Sequence, residues 1–134
     1  MRCQRVSYRF TGVVTSDAPA WAESLAAALS ARTPWRPASD VWETAEEFLV
    51  RLDVPGVADD DVQILVFADA VVVEGERRTP RMEHARFHVA EVRHGPFRLA
   101  LRLPSEVDAA SSEARMERGV LTVRLPKWAG GDRP

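Results

Sequence analysis

His84 and His88 stand four residues apart, the spacing at which two imidazoles on one helical turn can share a metal ion. The residues between them, Ala85-Arg86-Phe87, lack the glutamate of a zinc-protease helix, and the stretch reads as a loop running into a strand. On a strand the two rings share a face but lie about 13 Å apart, too far for one ion, so both read as solvated or interface histidines. His94, beside Gly95, reads as a turn residue. Glu74 and Glu76 share a strand face, as a catalytic carboxylate pair would; the reading adopted is a solvated edge or one facing a second copy. Asp59-Asp60-Asp61 concentrates three carboxylates that repel one another and reads as a solvated turn, not a metal site. Cys3 is the one cysteine, so no intrachain disulfide can form, and no base or second thiol accompanies it to make a redox pair. Neither a Gly-x-x-x-x-Gly-Lys-Ser/Thr phosphate loop nor a Gly-x-Ser-x-Gly nucleophile elbow occurs. The expectation is a protein that is not an enzyme, with no cofactor and no metal.

The elements that would position these residues belong to one domain. A chain of 134 residues, 46% hydrophobic and 28% charged, can bury a core without help from a metal or disulfide. Its formal net charge of -2 is too near neutral for a binder that neutralises phosphates, so no nucleic-acid partner is expected. No apolar run approaches the roughly 20 residues that span a bilayer, and Arg2, Arg5 and Arg9 lead into Tyr8-Arg9-Phe10-Thr11 rather than a signal core. A cytoplasmic protein with no membrane partner is expected.

The chain divides into an arm (1–38), a β-rich domain (39–127) and a short tail (128–134). In the arm, Val6, Tyr8 and Phe10 alternate with polar residues, as in a short strand. Asp17 offers an N-cap with Pro19 in the first turn, and Trp21, Leu25, Ala28 and Leu29 then fall on one helical face. That helix is barely three turns long and needs a surface to pack on. Trp21 and Leu25 either pack on their own domain or contact other proteins. Pro34 and Pro37 end regular structure. Beyond them the period becomes two. Phe48, Val50, Leu52 and Val54 alternate with more polar partners up to Pro55-Gly56. Further strands are expected at Val62–Phe67, from Val71 with Gly75 near its end, from Phe97 to Leu103 with Phe97, Leu99, Leu101 and Leu103 inward, and around Leu121, Val123 and Leu125. Short strands with Pro/Gly punctuation predict an all-β antiparallel sandwich.

Two features depart from a plain sandwich. Leu65 and Phe67 lie on the face opposite Val62, Ile64 and Val66, yet are also apolar. A strand with water on one side should not look so. Either a segment of the arm or of a partner covers this face, or it is an open apolar groove. The charged stretch from Arg77 to Arg86 is also longer than a hairpin loop needs.

From Trp35 to Lys127 the chain resembles the α-crystallin domain of small heat-shock proteins. The resemblance rests on Pro37–Glu43 as an opening strand, Phe48–Val57 with its Pro-Gly end, Gly75-Glu76-Arg77, Gly95-Pro96-Phe97 followed by Leu103-Pro104, and Ala114-Arg115-Met116-Glu117-Arg118-Gly119-Val120-Leu121 closing at Pro126-Lys127. The most specific part is Ala114, Gly119, Val120 and Leu121, which fit the family signature Ala-x-x-x-x-Gly-Val-Leu. Gly119 also makes sense alone, as a turn residue between strands.

The resemblance implies an immunoglobulin-like sandwich with a short, partly helical N-terminal arm. It implies that the long charged segment carries a strand exchanged with a second subunit, with Arg78, Met82, His84, Arg86, Glu91 and Arg93 as the exchange-loop residues. Such pairing would satisfy an open sheet edge and close a two-fold dimer. Two positions depart from the family: Glu91-Val92 stands where Glu-Arg is common, and Leu99 where an Arg is common, so the interface ion pairs differ. No Ile-x-Ile motif follows Lys127, which leads to the expectation of a homodimer or small homo-oligomer. The implied function is an ATP-independent holdase for unfolded client proteins under heat or other stress, with Trp21, Leu25, Leu29, Leu65 and Phe67 as client- or partner-binding residues. The alternative is a specific protein-binding adaptor or co-chaperone on the same sandwich.

Overall fold

The computed structural model describes residues 4–5 and 34–130. The described residues form eight strands, with apolar–polar alternation clearest in the third and eighth: β1 (Gln4–Arg5), β2 (Ser39–Glu43), β3 (Glu47–Asp53), β4 (Val62–Val66), β5 (Ala70–Arg77), β6 (Gly95–Arg102), β7 (Glu113–Glu117) and β8 (Val120–Pro126). They form two antiparallel layers, one of five strands in the order β1-β7-β8-β3-β2 and one of three in the order β4-β5-β6. Among the described residues the only helical elements are 3-10 turns at Asp59–Asp61 and Ala109–Ser111. Asp108 caps the second, its carboxylate accepting from the Ala110 amide at 3.1 Å. The expected all-β sandwich is therefore what forms. The arm's strand at Val6–Phe10 and its helix with Trp21, Leu25 and Leu29 lie outside the described residues.

The core is the seam between the layers. Val50, Leu52 and Val54 from β3 and its end, Ile64 and Val66 from β4, Val71 and Val73 from β5, and Leu121, Val123 and Leu125 from β8 are all fully buried there. Period-two patterning decides this, because each strand sends alternate side chains to the same side. β6 follows the rule for Phe97 and Leu99 but less so for Leu101, which is half-buried and packs at the core's margin.

Two glycines are required by close approach. A Cβ at Gly75 would stand 2.4 Å from the Asp61 carbonyl and 2.5 Å from the Phe97 ring. Gly75 pairs with Val62 on one side and Phe97 on the other, so it lets β5 pass between them. The strand then continues to Arg77 rather than ending at Gly75. Gly119, with Arg118, forms the two-residue β7–β8 hairpin in which both residues have positive φ (51° and 79°), the geometry that matches strand twist. A Cβ at Gly119 would lie 2.7 Å from the Pro55 Cα, so the turn also packs under the end of β3.

Candidate interaction site

Among the described residues no group of three His, Cys, Asp or Glu side chains is placed to hold a metal ion. Glu74 and Glu76 do not act as a pair. Glu74 is buried and receives the Arg98 Nε–H at 3.3 Å, while Glu76 points to solvent. Burial pushes the Glu74 carboxyl above its ordinary value, against the opposing pull of Arg98. Asp61 is held below the usual carboxylate range by two hydrogen bonds from Arg78, Nε and Nη2 each at 2.9 Å. Among the described residues no helix is long and apolar enough to cross a membrane.

What does assemble is an open sheet edge and an apolar segment. β2 pairs with β3 from Ser39↔Leu52 to Glu43↔Phe48 and ends the five-stranded layer, so its outer edge offers unpaired backbone groups. Val41 and Trp42 are exposed on it, Trp42 with the Arg51 guanidinium 5.7 Å from its ring centre. A cleft between the layers runs beside this edge, lined by Val41, Trp42, Phe48, Leu101, Leu103 and Pro104.

The segment 78–94 joins β5 to β6 and reaches well past the charged stretch ending at Arg86. It holds no strand of its own within a single chain. Met82 and Phe87 are each 74% exposed, Val89 71% and Val92 65%, a concentration of apolar surface that is unusual for one surface loop. Met82 and Arg86 share a hollow with Pro80, Ala85, Phe87 and His94. Of the other expected exchange residues, Arg78 is held by Asp61, His84 adopts a left-handed conformation (φ 54°), Glu91 is exposed, and Arg93 lies at the returning neck. Phe87, Val89 and Val92 were not among the residues expected from sequence. Their signal is present as apolar side chains in an otherwise charged run.

The motif residues converge on one corner of the sandwich. Gly75 sits opposite Phe97. The Trp35 ring packs on Phe97 with centroids 5.2 Å apart, and the Arg77 guanidinium lies 4.4 Å over Trp35. Arg77 Nη1 donates to the Pro55 carbonyl at 3.3 Å, and Pro55 packs on Gly119. Ala114 and Leu121 are core residues, and Val120, half-buried, pairs with Asp53 at the end of β3. Nothing local in the sequence announces the Arg77–Trp35 contact, because the two are far apart along the chain.

Leu65 and Phe67 are each only 3% exposed and Val72 5%, in a cluster separate from the main core with Ala70 packed against it. Of the two alternatives for this outer face of the three-stranded layer, covered or open, the covered one holds. Trp21, Leu25 and Leu29 lie outside the described residues.

The sequence model of the Hsp20/alpha crystallin family matches residues 40–133. Spore protein SP21 of Stigmatella aurantiaca is 40% identical over 92 residues, 68% of this chain and 54% of that protein. The chain spans about half the length of the curated relatives it matches. Heat shock protein 16.0 from Schizosaccharomyces pombe superposes with a TM-score of 0.65 at 29% identity, covering 74% of this chain and 93% of that one. A small heat-shock protein from Xylella fastidiosa gives 0.63 at 30%, covering 76% and 94%.

Proposed function

Because the chain belongs to the Hsp20/alpha crystallin family, whose members are chaperones and not enzymes, we propose that it is an ATP-independent holdase that works as a homodimer or small homo-oligomer. One observation carries this reading: a single chain leaves the apolar side chains of 78–94 in water while the edge of β2 stands unpaired. A second copy satisfies both. Its 78–94 segment adds to β2 as a strand, with apolar side chains entering the cleft beside Val41 and Trp42. Arg78, Met82, His84, Arg86, Glu91 and Arg93 are the polar and apolar contacts of that exchange.

Clients are unfolding proteins, recognised by exposed apolar surface rather than by sequence. Trp21, Leu25 and Leu29 of the arm, apolar in sequence, are one proposed set of client contacts. Leu65 and Phe67 form another, and since both are buried in the resting chain, that strip serves clients only in states that heating opens. Burying roughly 300 Å² of apolar surface contributes about 7 kcal/mol before the costs of association, enough to hold a client and weak enough to release it. The test is to heat an aggregation-prone enzyme with an equimolar amount of this protein and no nucleotide. Suppressed light scattering is expected; scattering equal to the client alone refutes the holdase. A single stoichiometric partner, bound equally at all temperatures, would instead identify an adaptor.

A further inference from the structure

The exchange segment leaves the domain after Arg77 and returns at Gly95, and these two residues face each other in the β5–β6 register. The paired backbone ends at this neck. Gly95 has φ 89° and open space around the position a Cβ would take, so no side-chain packing at that position holds the returning strand. Arg77 supplies what the backbone lacks. Its Nε donates to the Arg93 carbonyl at 2.7 Å and its Nη2 donates to the same oxygen. Its Nη1 reaches the other way, to the Pro55 carbonyl at 3.3 Å.

The plane of that fork rests on Trp35, which is itself held at four points. Trp35 Nε1 donates to the Gly95 carbonyl at 3.1 Å. Its amide donates to Pro96, its carbonyl accepts from the Arg98 amide, and its ring packs on Phe97. A planar guanidinium can bridge two carbonyls and stack on an indole at once; a lysine ammonium cannot do both.

We propose that Arg77 is a positioning residue: it clamps the two ends of the 78–94 segment together over Trp35 and so sets the direction in which the segment leaves toward a second copy. This rests on the exchange reading given above, but the clamp is a property of one chain.

The test uses the full chain with Arg77→Ala and Arg77→Lys. Amide hydrogen exchange is read at Trp35 and Arg98, whose amides donate to the Pro96 and Trp35 carbonyls under the clamp, and at β3 and β8 as controls; the dimer dissociation constant is read by sedimentation. Arg77→Ala is expected to speed exchange at Trp35 and Arg98 about tenfold, the scale of one lost charge-assisted hydrogen bond, with β3 and β8 unchanged. It is expected to raise the dissociation constant by a similar factor, with Arg77→Lys restoring little of either. Unchanged exchange at Trp35 and Arg98, or an equal rise throughout β3 and β8, overturns the clamp. A wild-type chain that stays monomeric at every concentration overturns the exchange reading alone, and the amide measurement then still decides the clamp.

Discussion

Replacing Gly75 by alanine pits two effects of opposite sign against each other. Gly75 has no positive φ, so alanine costs nothing in backbone conformation there and gains about 0.4–1 kcal/mol by restricting the unfolded chain. The new methyl, however, would stand 2.4 Å from the Asp61 carbonyl oxygen and 2.5 Å from the Phe97 ring, about 1 Å inside ordinary contact on both sides. Neither neighbour can yield cheaply. The Asp61 backbone is fixed by its amide bond to the Ala58 carbonyl and by the Arg78 pair on its side chain, and Phe97 is fully buried against Trp35. Overpacking of this kind costs about 3 kcal/mol, leaving a net loss of about 2 kcal/mol. For a domain of this size that lowers Tm by roughly 8–16 °C. Thermal unfolding followed by circular dichroism reads the shift. Gly95→Ala is the control, because its Cβ would meet nothing within 4 Å and only the left-handed φ is charged against it, about 1–2 kcal/mol. A Gly75→Ala variant as stable as wild type, or less affected than Gly95→Ala, would refute the close-approach reasoning.

Phe97→Ala is expected to cost about 3–5 kcal/mol, since a fully buried ring is lost from the seam between the layers; urea unfolding checks it. The two shifted carboxyls should act in opposite directions on stability as pH changes. Asp61, lowered by Arg78, contributes stability that is present at neutral pH and is lost as pH falls through its folded value, whereas Glu74, raised by burial, binds its proton more tightly when folded and so subtracts stability as pH rises through its own window. Urea midpoints measured against pH should therefore lose the Asp61 contribution to their acid-side decline in Arg78→Ala and lose the Glu74 contribution in Glu74→Gln; unchanged profiles in both would contradict the assignment. Trp42→Lys should leave the fold intact but weaken dimerisation at least about tenfold, because a lysine on an edge strand opposes pairing; sedimentation at several concentrations reads this, and an unaltered dimer would remove β2 from the interface.

Most of the sandwich was legible because strand pattern is local. Phe48, Val50 and Leu52, like Leu121, Val123 and Leu125, declare their buried face within a few residues, and the Pro55-Gly56 and Arg118-Gly119 turns declare the ends. The anomaly at Leu65 and Phe67 was legible too, as two apolar faces on one strand, but their burial depends on what lies over the layer and no period encodes that. The corner around Arg77 was illegible for a different reason. Trp35, Pro55, Arg77, Phe97 and Gly119 each carry an ordinary local signal, and only the crossing of strands distant in sequence brings them together. The segment 78–94 was legible as an overlong charged stretch, while its four exposed apolar side chains become informative only once their surroundings are seen to be water.

The holding of unfolding proteins without nucleotide is tested most directly by sedimentation of a heated client. An equimolar mixture with this protein, nucleotide-free, is brought to the client's unfolding temperature and centrifuged. The client should remain in the supernatant and co-elute with this chain by size exclusion; a client that pellets as completely as it does alone would contradict the account.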